Sequence, residues 1–92
     1  MPETDLVRLL NSIGKSTFVR YYRQFSDRSL SHEDLIELLP KDYTLKARRT
    51  RVSKARRILD EGLQRQALDL IAKSERVDEQ TAHSARELLK EI

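Results

Sequence analysis

The chain has 92 residues, the length of one domain, and carries 18 Lys and Arg against 15 Asp and Glu for a net charge of +3. Charged residues make up 36% of it, above the roughly 25% of an ordinary globular domain, yet 14 Leu, 5 Ile and 4 Val give amphipathic helices enough bulk to bury. The absence of cysteine excludes disulfides, thiolate metal sites and a Cys nucleophile, and two histidines, His32 and His83, exclude a His-rich metal site. Two Gly and two Pro are too few for a turn-rich β fold or a Gly-rich phosphate loop, and no apolar run approaches the ~20 residues of a membrane span. The acidic N-terminus, Met1 to Asp5, lacks the basic and apolar regions of a signal peptide, so a soluble cytoplasmic protein is expected.

Leu6, Leu9, Leu10 and Ile13 stand at i, i+3, i+4 and i+7, which predicts a first helix over about 4–13 ended by Gly14. Phe18, Tyr21, Tyr22 and Phe25 repeat that spacing in a second helix over about 16–26, with Ser16 as its cap. Four of the five aromatic residues lie here, so this segment is read as the centre of the core. After a polar break at 27–30, Ser31 and Asp34 form a capping-box pattern for a third helix over 31–39, with Leu30 placed to pack back on Leu35. Pro40 disfavours helical geometry at Leu39 and stops it. A linker over 40–43 leads to Thr44, an N-cap for a fourth helix over 45–61 that Gly62 ends. A fifth helix over 63–74 carries Leu63, Ala67, Leu70 and Ile71 on one face. Asp78 caps a sixth over 79–91 with a stripe of Ala82, Ala85, Leu88, Leu89 and Ile92. The expected architecture is one all-α domain over 1–92, a compact bundle of five or six helices joined by short connections.

Charge is concentrated in the fourth helix. Residues 44–59 hold Lys46, Arg48, Arg49, Arg51, Lys54, Arg56 and Arg57 and no acid, which leaves 11 cations against 15 acids elsewhere. The whole positive excess of the chain therefore sits on one helix, where a polyanion would dock. At about 100° per residue, Leu45, Val52 and Leu59 align, and Ala55 and Ile58 widen that apolar face. Lys46, Arg49, Thr50, Ser53, Lys54 and Arg57 fall on the opposite side. Long cations reach phosphates, Arg pairs bidentately with guanine, and Ser or Thr permits close approach to base edges. Arg48 and Arg51 project toward the apolar side. They are expected to be structural, paired with Glu33, Glu37 or Asp69, with their stems covering apolar surface.

In their order and composition, residues 31–59 resemble a helix-turn-helix unit: a supporting helix over 31–39, a turn over 40–43 and a basic helix over 45–59. That resemblance implies a recognition helix in the major groove whose N-terminal half contacts base edges. Lys46, Arg49, Thr50 and Ser53 would then face bases, and Lys54 and Arg57 phosphates. The turn departs from the family in having Pro where Gly is usual. Duplex DNA is the expected partner, bound by a small bacterial or phage transcriptional regulator. An acidic protein docking on the basic helix is the competing reading, and structured RNA a third. Residues 63–92 are expected to pack back on the core, with homodimerisation through them as the alternative.

The remaining signals point elsewhere than to chemistry. Gly14-Lys15-Ser16-Thr17 matches the tail of a phosphate loop, but Leu9 stands where the pattern needs its first Gly, so the stretch reads as a turn and a cap. The acid pairs Glu33/Asp34 and Asp78/Glu79 sit at helix N-termini, where negative charge complements the dipole. With no nucleophile–base pair, metal set or phosphate loop in view, neither enzyme activity, nor a cofactor, nor a catalytic residue is expected.

Overall fold

Capping residues and apolar spacing set most helix boundaries in the computed structural model of the chain, which describes residues 3–92. The described residues form seven α-helices and no strand: α1 (Glu3–Ile13), α2 (Lys15–Arg20), α3 (Tyr22–Ser26), α4 (His32–Leu38), α5 (Leu45–Asp60), α6 (Gln64–Ala72) and α7 (Glu79–Glu91). The fold is all-α, as expected. Its seventh helix arises because the predicted 16–26 helix is two short ones. Tyr21 leaves helical geometry at φ −107° and ψ 17°, and the rings then gather on Phe18, with Tyr22 edge-on at 5.7 Å and Phe25 stacked at 6.2 Å. Ser16 does not cap this segment. Gly14 stands in the cap position at φ 89°, with no side-chain bond.

The other capping expectations match local geometry. Ser31 and Asp34 exchange both bonds of a capping box, at 3.1 and 2.9 Å. Thr44 accepts from the Ala47 N–H at 3.1 Å, and Asp78 from the Thr81 N–H at 3.3 Å. Gly62, at φ 71°, ends α5 in a Schellman motif: the Leu63 N–H donates to the Ile58 carbonyl at 2.9 Å and the Gly62 N–H to that of Leu59 at 3.1 Å.

Buried residues from all seven helices meet in one cluster. Helix α5 packs against α1, α3, α4 and α6, while α7 packs on α6 and α2. Leu68, Ile71, Ala85 and Leu88 lie in the same cluster as Leu10, Phe18 and Phe25, so residues 63–92 do pack back on the core. Their apolar stripes are largely covered within the chain itself. The radius of gyration, 12.3 Å, is about what a compact chain of this length has. Among the described residues no helix is long and apolar enough to cross a membrane.

Candidate nucleic-acid interface

Helix α5 is straightforward to explain as a helix: a capped start, sixteen residues without Gly or Pro, and a glycine stop. Its buried residues are Val52, Ala55, Arg56 and Ile58. Two points depart from the expected apolar face. Leu45 is 45% exposed, because the core ends short of the first two turns of α5, and Leu59 is only half-buried. Arg56, by contrast, is 7% exposed and lies inside the buried arc.

The seven cations of 44–59 divide by what they meet. Arg48 donates through Nη1 to the Ile36 carbonyl at 3.1 Å and through Nε to that of Tyr43 at 3.3 Å. Arg51 donates through Nη1 to the Ile13 carbonyl and lays its guanidinium 4.1 Å from the Tyr43 ring centroid. Arg56 donates through Nη2 to the carbonyls of Asp27 at 3.0 Å and Leu30 at 2.7 Å. One acceptor of each arginine lies at the end of a different helix, with Ile13 closing α1 for Arg51, Ile36 in the last turn of α4 for Arg48 and Asp27 just beyond α3 for Arg56, while the Tyr43 and Leu30 carbonyls belong to the turns that precede α5 and α4. The last carbonyls of a helix have no intrahelical donor and carry the negative end of its dipole, so a cation there satisfies both at once. Arg48 and Arg51 are therefore structural, but their partners are backbone carbonyls and not Glu33, Glu37 or Asp69. Carbonyls of distant helix ends leave no mark in sequence spacing. The same holds for Arg56, whose wheel position between Val52 and Arg49 does not mark it as buried.

The outward cations are differently placed. Lys46, Arg49, Thr50, Ser53 and Arg57 are all exposed and fall within an arc of about 100° on α5. Lys54 is half-buried at the edge of that arc. Arg57 pairs with Glu61 at 3.5 Å on the surface, whereas among the described residues no ion pair involves Lys46, Arg49 or Lys54. The structure thus brings the six sequence-predicted site residues onto one side of one helix, five of them facing outward and Lys54 on the flank. Leu38 and Leu45, on either side of the α4–α5 connection, are also exposed, at 48% and 45%.

Three carboxylates have displaced titration, and none is on α5. Hydrogen bonds from Ser29 hold Asp27 below the usual carboxylate range, the bond from Lys41 does so for Glu37, and the bonds from Thr81 do so for Asp78. All three belong to turns, caps or helix ends. Around the Gly14-Lys15-Ser16-Thr17 stretch, the Lys15 amine donates to Ser74 Oγ at 3.3 Å and Thr17 is buried, which fits a turn and helix start. No three metal-ligating side chains converge among the described residues.

Compared with known proteins, the chain matches no protein-family model, no curated protein and no solved structure.

Proposed function

We propose that the chain binds duplex nucleic acid, and DNA in particular, through the outward face of α5, as a small transcriptional regulator would. The observation that carries this reading is an exposed arc holding Lys46, Arg49, Thr50, Ser53 and Arg57, in a segment from 44 to 59 that contains no acid. No residue of α5 before Val52 is fully buried, so its first two turns lie at the edge of the core, where the base-reading end of a recognition helix is placed. Lys46 and Arg49 address base edges, Arg49 with the fork that suits guanine, while Thr50 and Ser53 let the helix approach closely. Lys54 and Arg57 meet phosphates.

Affinity for random-sequence duplex DNA, measured across a salt series, tests the reading. On random-sequence duplex all four cations of the face, Lys46, Arg49, Lys54 and Arg57, fall on phosphates; four such contacts give a log–log slope of roughly −3.6, and Arg57→Ala makes it shallower by about one contact. A slope near zero, or no binding at low salt, refutes it. The exposure of Leu38 and Leu45 beside the cations favours one other reading, an acidic protein partner with an apolar edge. In that case Leu45→Ser weakens partner binding, and duplex DNA does not bind at all.

A further inference from the structure

The first two turns of α5, residues 45–51, hold no fully buried residue, Ala47 being half-buried, and full burial along the helix begins at Val52. The side-chain hydrogen bonds that tie these turns to other helices are made by Arg48 and Arg51, and they converge on Tyr43. The Tyr43 N–H donates to the Pro40 carbonyl at 3.2 Å and closes the turn before α5. Its carbonyl accepts from Arg48, and its ring is the platform for the Arg51 guanidinium at 4.1 Å. Its hydroxyl lies 3.4 Å from Thr17 Oγ1 on α2. From this hub Arg48 reaches the end of α4 and Arg51 the end of α1. Gly14 leaves room beside the Arg51 guanidinium. A Cβ there would stand 3.1 Å from Arg51 Nη1, on a backbone at φ +89° that side-chain-bearing residues rarely adopt.

We infer that Tyr43, with Arg48 and Arg51 locked to it, is the positioning device of the interface. It sets where the first two turns of α5 stand against α1, α2 and α4, and so where Lys46 and Arg49 point. None of the three residues belongs to the outward arc. A guanidinium stacked on a ring and donating to a carbonyl holds a direction, which a flexible ammonium on a four-carbon stem does not. The role of the clamp in recognition rests on the nucleic-acid reading, but the clamp itself has a readout that involves no nucleic acid.

The test uses the full chain with Tyr43→Leu, which changes no charge, and Arg51→Lys, which keeps the charge and loses the planar fork. Amide hydrogen exchange is compared at residues 48–51 and 55–58, and duplex DNA affinity is read by fluorescence anisotropy at a temperature where circular dichroism shows folded protein. In both variants exchange at 48–51 should accelerate by about tenfold or more, with a smaller change at 55–58. Duplex affinity should fall about tenfold, although every outward cation is intact. Unchanged exchange at 48–51 in both variants overturns the clamp. Faster exchange with undiminished affinity, in a chain whose unaltered form binds duplex, overturns its positioning role. Affinity retained in Arg51→Lys and lost in Tyr43→Leu shows that Tyr43 acts without the Arg51 fork and overturns the place of Arg51 in the device. If the unaltered chain binds no duplex, the nucleic-acid reading fails separately, and the exchange comparison still upholds or overturns the clamp.

Discussion

Arg56 and Arg57 are neighbours in sequence, identical in chemistry and about 100° apart on α5, and one is buried while the other is exposed. Arg56 is 7% exposed and donates to the Asp27 and Leu30 carbonyls at 3.0 and 2.7 Å. Replacing it with Met keeps the unbranched stem in place and removes the donors. Two bonds from a charged donor contribute about 1.5–3 kcal/mol each. Some of that is returned, because a buried guanidinium is costly to desolvate and its Nε has no partner. The net expected loss is about 2–3 kcal/mol. For a chain of this size that lowers the melting temperature by about 8–24 °C. Arg57 has a side chain 57% exposed and a single surface pair with Glu61. Arg57→Met should therefore change stability by no more than about 0.5 kcal/mol. Urea denaturation followed by circular dichroism measures both. Equal midpoints for the two variants, or a greater loss in Arg57→Met, would refute the division of α5 into an inward and an outward set of arginines.

Val52→Ala removes methyl groups from a fully buried site and should cost about 1–3 kcal/mol. Leu45→Ala, at the exposed start of the same helix, should stay within about 0.5 kcal/mol by the same denaturation assay. A chain cut after residue 62 loses Ala67, Leu68, Ile71, Ala85 and Leu88 from the core and should be unfolded by circular dichroism and sediment as an expanded chain. A folded 1–62 fragment would show the first five helices to be self-sufficient. Asp27, Glu37 and Asp78 all titrate below their ordinary values in the folded protein. Their contribution to stability is complete above the unfolded carboxylate pKa and is lost as pH falls through the depressed folded values. The melting temperature should be level near neutral pH and decline in acid, less steeply in Asp78→Asn; an identical acid slope in that variant would remove Asp78 from the explanation.

Helix starts and stops were legible in the chain because the groups that make them lie within a few residues of one another. Ser31 with Asp34, Thr44, Asp78 and the Gly62 stop each act on backbone N–H or carbonyl groups of their own turn, and each appears where local reasoning places it. The apolar stripes at Leu6, Leu9, Leu10 and Ile13 and at Val52, Ala55 and Ile58 likewise report a period that needs no knowledge of the partner helix. So does the outward arc of Lys46, Arg49, Thr50, Ser53 and Arg57, which is the complement of the buried face. Three features were decided only when distant segments met. The break at Tyr21 goes with rings gathering on Phe18, a packing event that local propensity does not encode. Leu45 is exposed because the core ends before it reaches the first turns of α5, although its wheel position matches that of Val52. The inward arginines find the carbonyl ends of α1, α3 and α4, groups that every residue carries and that become acceptors for Arg48, Arg51 and Arg56 only through the arrangement of helices in space. A run of seven cations is visible in the amino-acid sequence. Which of them are free to meet a polyanion is set by where the other helices end.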